Sequence, residues 1–463
     1  MVIAIGRIHN KEILTGLRVY NIDNKKTKDI TMRDVDKINI MNINRIANLG
    51  IVDNKQERKP LVLLEYKNDK YKVVDINGNE QTISDITGFN LVEIETNVEQ
   101  YRKYELRQRL IGDTFEFGVI KNTDDVIITR FIENDEKSRT VVIPSFVTNI
   151  SNAVFSRVKQ NLKVIYNGYK LKSTALMFCN FMGEELDLSQ FNTKNIDDMR
   201  NMFAYCENLT KLNINNFNTE NVATMSGVFK GCTKLTSLNL NSFNTSKVMN
   251  MHGMFEDCDM LERLDISRLD TRKVKNMKNM FRGCRCIKDI NINNLNTSNV
   301  IDMQGMFSFC ESLEKLDISR LDTSNVRDMS KMFMYCTNLD KLTIDNINTD
   351  KVVNMNLMFS YLKNLKIIDL SKFNTKNVEK MCAMFMGCES LTELDLSNFD
   401  TTYVTDMSQM FKGCSKLQKV NVKSFNTDNV TSVVEMFEDC EELSGLDLSN
   451  FDEKQRWCLQ NIR

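Results

Sequence analysis

Histidine is nearly missing from this chain of 463 residues: there are two, His9 and His252, far apart in different segments. A histidine-based catalytic triad or a histidine-rich metal site therefore has no support. Neither common kind of glycine-rich phosphate loop occurs, and glycines such as Gly231, Gly283 and Gly387 fall at one repeated position. Charge of one sign is missing too. The 61 Lys and Arg face 62 Asp and Glu for a net charge of −1, which leaves no long-range field for gripping DNA or RNA and excludes nucleic acid as the expected primary partner. No apolar run approaches the roughly 18 residues needed to span a bilayer. The opening MVIAIGRIHNKEIL offers only a four-residue apolar run before Gly6 and Arg7, and no cleavage site. The reading is of a soluble, cytoplasmic protein with no signal peptide, anchor or transmembrane segment.

What the chain has in quantity is a repeat. Phe recurs every 26 residues from Phe203 through Phe229, Phe255, Phe281 and Phe307 to Phe437, with Phe178 one residue short of register, so eleven units are visible. One unit reads Leu209-x-x-Leu212-x-Ile214-x-x-Phe217-Asn218-Thr219-x-x-Val222-x-x-Met225-x-x-Val228-Phe229-x-x-Cys232. Its first segment ends in period-2 alternation and predicts a short strand with one buried face. Its second, from Val222 to Cys232, has apolar spacings of 3, 3, 1 and 3 and predicts a short helix. Between them Asn or Asp followed by Thr, as at Asn192-Thr193, Asp270-Thr271 and Asp400-Thr401, predicts an Asx-turn or helix N-cap. Stacked copies bury one continuous core, giving a right-handed α/β solenoid, on the order of 50 Å long at strand spacing.

The stretch LDLSNFDTTYVTDMSQMFKGCSKL, residues 394 to 417, resembles the BspA-like leucine-rich repeats of bacterial surface proteins, which also occur in mycoplasma lipoproteins and parasitic protists. The likeness covers roughly residues 140 to 452 and implies a leucine-rich-repeat recognition scaffold without shared chemistry.

Four segments are expected. Residues 1–130 read as a small β-rich α+β domain of unrecognised family: Ile13 to Tyr20 and Leu61 to Tyr66 are strands, Lys67-Asn68-Asp69 and Asn77-Gly78-Asn79 are turns, a charged helix covers Val98 to Leu110, and strand returns from Phe115 to Ile132. Residues 131–172 form an N-terminal cap with degenerate repeats, in which Leu162 to Ile165 is a strand. The solenoid proper is 173–452. EKQRWCLQNIR, 453–463, closes the stack with the only Trp, Trp457.

Thirteen cysteines without an export signal read as reduced thiols. Nine fall in one column, from Cys206 to Cys440, in which Leu362 substitutes once; a position that accepts Leu is a small apolar filler at the helix end, not a zinc ligand. The methionine column from Met199 to Met407 reads as core by its helical spacing. No metal or cofactor is expected, and no catalytic residues: nothing marks one carboxylate pair above the rest.

Two surfaces remain as candidate partner sites. On the strand face stand Asp265, Asp317, Asp369 and Asp395, diluted by Asn in other units, with Arg268, Arg320 and Lys372 on the rim and cations such as Lys211, Lys315 and Lys419 able to lie across the acids. This is either a solvated charge ladder or a mixed-charge docking face. Two residues after the repeat Phe, three consecutive units carry Phe309, Tyr335 and Tyr361, with Met334 and Met386 beside them, and Ile367 interrupts a charged strand column nearby. Aromatics and Met exposed together are the stuff of interface cores, unless they pack on a neighbouring loop.

The function these observations favour is a non-enzymatic scaffold presenting a rigid curved repeat surface to a protein partner inside the cell, in a bacterial or phage setting. Alternatives are a cell-surface or virion adhesin binding a host protein, and a mobile-element inhibitor that sterically blocks a host enzyme or defence complex.

Overall fold

The computed structural model describes residues 112–459 with their side chains, apart from 113, 121, 122 and 124, together with the backbone of strands between residues 2 and 111 and of residue 460. The chain divides into two compact units, Met1–Ser173 with Gln190–Asn195, and Thr174–Ser189 with Ile196–Arg463.

The first unit is built of sheets. Val2–His9, Ile13–Asn21 and Lys26–Ile30 pair antiparallel in that order. Leu49–Asp53, Leu61–Lys67, Lys70–Val74, Glu80–Ile83 and Phe89–Leu91 form a second, antiparallel sheet. The expected strands over 13–20 and 61–66 are therefore present; the turns at 68–69 and 77–79 lie outside the described residues. The helix expected over Val98 to Leu110 is corrected at its end: Leu106–Ile111 is a strand, paired antiparallel with Phe115–Ile120, because that neighbour's backbone groups take their partners there. Residues 98–105 lie outside the described residues. Phe115–Ile120 also pairs with Val126–Phe131, and the rings of Phe115, Phe131 and Phe155 meet beneath them at 5.1 to 6.1 Å between centres. Ser138–Ile143 lies parallel to Asn161–Tyr166 over six paired residues, which realises the strand expected at Leu162 to Ile165.

The second unit is a solenoid of 26-residue coils. Short parallel strands pair in register one period apart: Glu185–Asp187 with Lys211–Asn213, Lys315–Asp317 with Lys341–Thr343, and Glu393–Asp395 with Lys419–Asn421. A second ladder runs from Asp198 through Thr224, Asn250, Asn276 and Asp302 to Ser432, again at intervals of one period. The repeat phenylalanines stack from Phe203 to Phe437 with ring centres 5.2 to 6.1 Å apart. Both Met columns beside them are buried, Met303 and Met306 completely. Each such side chain removed from water contributes about 1.5–3 kcal/mol, and the sum runs the length of the array.

The predicted helix in each unit is absent. Among the described residues the one α-helix is Glu453–Gln460, so the α/β expectation gives way to a β-solenoid. From Met199 to Cys206 alternate N–H groups close local turns, Met202 to Met199 and Ala204 to Asn201, while those between reach the next coil, Asn201 to Ser226, Phe203 to Val228 and Tyr205 to Lys230. The reason is width. An α-helix with its side chains is about 10–12 Å across, whereas coils joined by strand hydrogen bonds stand about 4.8 Å apart. Each turn joins residues three apart, as Met202 to Met199, which is why Met-x-x-Met imitated a helix face. These turns need positive φ at two positions per coil: Gly227 (φ 61°) and Gly231 (φ 69°) in one unit, Asn201 (52°) and Tyr205 (60°) in the unit before.

The corner is an Asx-turn as expected. Asn218 Oδ1 accepts the Glu220 N–H at 3.0 Å and Asp270 Oδ1 that of Arg272 at 3.1 Å. The threonine that follows is buried and bonds to the next coil, Thr219 Oγ1 donating to the Asn244 carbonyl at 2.9 Å. At the end of the array Asp452 caps the terminal helix by accepting the Gln455 N–H at 2.7 Å, and Gln455 Oε1 accepts the Asp452 N–H at 3.1 Å. Gln455 Nε2 also donates to the Val430 carbonyl at 3.2 Å. The Trp457 indole is largely exposed, and buried Gln455 meets the last coil.

Candidate functional site

The aromatic column is the most unusual feature of the turn wall. Its position follows the repeat Phe by two residues and has φ between 55° and 72° in every coil from Tyr205 to Asp439. Such a φ costs an L-residue with a Cβ roughly 1–2 kcal/mol, and Gly231, Gly283, Gly387 and Gly413 avoid that cost. Phe309, Tyr335 and Tyr361 accept it on three successive coils, at φ 60° to 61°. Their rings stack, 4.9 Å between Phe309 and Tyr335 and 4.2 Å between Tyr335 and Tyr361, with planes within 16° of parallel. All three are half-buried. Burial and the neighbouring Tyr361 raise the Tyr335 phenol pKa.

Backbone bonds tie the column to the flanking residues. The Phe309 N–H donates to the Met334 carbonyl at 2.7 Å and the Tyr361 N–H to that of Met386 at 2.6 Å, so both methionines sit half-buried next to the stack. Beyond Phe309 the guanidinium of Arg282 lies 5.1 Å from the ring centre. Its Nη1 also reaches Asp257 at 3.0 Å and Glu256 at 3.2 Å, and Glu256, nearly fully buried, takes Lys230 Nζ at 2.8 Å. This chain of alternating charges escaped the sequence reading; the signal was present in Lys230, Glu256 and Arg282 at intervals of 26.

The strand face is a separate surface. Ile367 is 78% exposed there, on the strand wall and not on the turn wall that carries the rings. Asp265, Asp317, Asp369 and Asp395 are exposed, but each carboxylate has a local task, accepting the backbone N–H of Ser267, Ser319, Ser371 or Ser397 at 2.9 to 3.0 Å. Those serine bonds are the main reason these carboxyls titrate below the usual range, helped by Arg268, Arg320 and Lys372 beside the first three. The Asp-x-Ser spacing was the missed signal of an Asx-turn. Of the cations in the neighbouring column, Lys211 pairs with Glu185 at 2.5 Å and Lys419 with Glu393 at 3.2 Å, each one coil back in its own column, while Lys341 stands near enough to Asp317 to help lower its titration.

The cysteine column is more than filler. Each thiol donates to the carbonyl of the preceding coil's phenylalanine, as Cys310 to Phe281 at 3.2 Å and Cys336 to Phe307 at 3.1 Å. Leu362 fills the same volume without the bond.

These observations define a class, a β-solenoid scaffold of stacked 26-residue coils with side-chain ladders on its walls. The chain belongs to the family described as "Mycoplasma protein of unknown function, DUF285", whose model matches residues 170–288, 259–367 and 360–461. No curated protein and no solved structure matches the chain. Among the described residues no helix is long and apolar enough to cross a membrane.

Proposed function

We propose that this chain is a non-enzymatic scaffold that binds a protein partner through the turn wall around Phe309, Tyr335 and Tyr361, as a repeat protein of the BspA-like kind. One observation carries this reading: three successive coils hold a half-exposed aromatic in a left-handed conformation where glycine serves the fold at lower cost. Strain retained at a surface position is a mark of function. A stacked, preformed ring surface also loses little conformational freedom on binding, and tyrosine is among the residues that dominate interface energies.

A reducing compartment such as the cytoplasm suits the thiols, since each column S–H serves as a donor to the adjacent coil and disulfide formation would remove it.

The test is affinity capture from native-source lysate with the full chain beside the Tyr335→Gly, Tyr361→Gly double variant. A stoichiometric partner retained by the wild type and lost by the variant is the expected result. A partner retained equally by both sinks the assignment of this surface.

A further inference from the structure

The last coil of the array leaves a row of main-chain donors unanswered. In the coil before it the N–H groups of Met407, Gln409, Phe411 and Gly413 donate to the carbonyls of Ser432, Val434, Met436 and Glu438 at 2.8 to 2.9 Å. The matching N–H groups of the last coil, on Val433, Glu435, Phe437 and Asp439, have no acceptor among the described residues. Glu435 and Asp439 nevertheless hold φ at 58°, as in the coils whose N–H groups are paired. The terminal helix does not answer these donors, since Gln455 seats it on the carbonyls of Thr427 and Val430, before the turn wall begins.

The side chains of that coil are uncovered as well. Phe437 stacks on Phe411 by one face, 5.2 Å between centres, and is only half-buried, whereas the repeat phenylalanines from Phe203 to Phe411 are all buried. Leu443, Leu446 and Leu448 are likewise half-buried. A solenoid that closes on itself ends in a polar capping unit, and an open row of main-chain donors is a template for another chain.

Two features identify what fits there. The row offers donors alone, because the carbonyls between them already accept from the coil before. Two such ends therefore cannot pair with each other, and the occupant must bring a row of carbonyls. The second feature is charge. Residues 381–395 carry three carboxylates and no cation, 407–421 three lysines and no acid, and 433–447 six carboxylates and no cation. Ion pairs between coils follow this alternation, Lys419 with Glu393 at 3.2 Å and Lys412 with Glu435 at 2.7 Å. Asp439 and Glu441, exposed on the outer coil, have no ion-pair partner among the described residues.

We propose that this end of the array docks a cationic segment of a protein partner, which adds to it as a further coil. Its carbonyls accept from Val433, Glu435, Phe437 and Asp439, an apolar side chain covers the free face of Phe437, and its cations answer Asp439 and Glu441. The edge is separate from the ring surface of Phe309, Tyr335 and Tyr361 and does not depend on it.

The test follows hydrogen exchange of the full chain at low ionic strength, where screening is weak, under reducing conditions. The probe is an N-acetylated peptide with the sequence of residues 407–421, a cationic coil whose Ser408, Met410 and Lys412 carbonyls already serve the coil before it. A second peptide has Lys412, Lys416 and Lys419 replaced by Glu. The lysine peptide is expected to slow exchange at Val433, Glu435, Phe437 and Asp439 at least tenfold, and to bind at least tenfold more tightly than the glutamate peptide. Asp439→Asn with Glu441→Gln is expected to weaken it at least fivefold with the thermal midpoint unchanged, whereas Tyr335→Gly with Tyr361→Gly leaves it at the wild-type value. Equal binding of the two peptides, or unchanged exchange at the four amides, overturns the docking edge. Partner capture that still depends on Tyr335 and Tyr361 would then leave the ring-surface reading in place.

Discussion

Thr323 and Asn348, on adjacent coils, exchange two hydrogen bonds: Thr323 Oγ1 donates to the Asn348 carbonyl at 2.8 Å and accepts the Asn348 N–H at 2.7 Å. One buried hydroxyl so satisfies both main-chain groups of a corner residue that lies outside the strand ladder. The exchange recurs between Thr219 and Asn244, Thr349 and Asn374, and Thr401 and Asn426. The corner threonines are thus the fasteners that hold each coil on the next.

Thr323→Val keeps the shape and removes the hydroxyl, leaving two backbone groups without partners. The expected loss is about 1–3 kcal/mol for each, while Thr323→Ser stays near wild type. Urea unfolding with hydrogen exchange at Asn348 measures both; equal stability of the Val and Ser variants would show that water replaces the hydroxyl.

Met303 is fully buried between stacked neighbours. Met303→Asp puts a carboxyl there with no cation to pair it, and the adjacent coils are expected to open, as a loss of several kcal/mol. Limited proteolysis should cut around residues 277–329 in the variant and spare the wild type.

Glycine at Tyr335 and Tyr361 relieves left-handed strain of about 1–2 kcal/mol per residue and forfeits stacking of about 0.5–1.5 kcal/mol per pair. These nearly cancel. The double variant is expected to unfold at the wild-type midpoint by circular dichroism, and a marked drop would place both rings in the core.

Asp317, Asp369 and Asp395 titrate below the ordinary carboxyl value because of the serine bonds. Their contribution is therefore complete above the unfolded value of about 3.9 and is lost as pH falls through the lower folded value. Asn239 and Asn291 make the same turn bond at 3.0 and 3.1 Å. The triple Asp→Asn variant is expected to match the wild type at pH 7 and to lose less stability below about pH 4, measured by denaturant midpoints across that range.

Burial pushes the Cys310 thiol up to about 12 and raises those of Cys284 and Cys336 well above the usual value, whereas Cys286 is exposed. A maleimide is expected to modify native Cys286 well before these three, which react only on unfolding. Mass mapping of the first adduct decides it.

The repeating architecture was legible because a solenoid writes its period into the chain: a buried column must stay apolar every 26 residues, and the Phe, Met and Leu columns do. Phe309, Tyr335 and Tyr361 were legible as neighbours for the same reason. The helix was misread because consecutive turns and a helix face share a three-residue apolar spacing. The glycines at Gly227 and Gly231, four apart in one supposed helix, were the contrary signal.

The sequence alone determined the period, the core columns and the Asx corner, since each depends on a residue's own chemistry and its distance along the chain. The tertiary structure alone decided that alternate N–H groups in the turn wall bond across coils, and that Tyr335 and Tyr361 stand in left-handed backbone. It also decided that Arg282 covers one end of the ring stack while at the other end the Tyr361 ring lies over Gly387. Those outcomes follow from the narrow spacing at which hydrogen-bonded coils stack, a constraint that exists only once one coil lies on the next.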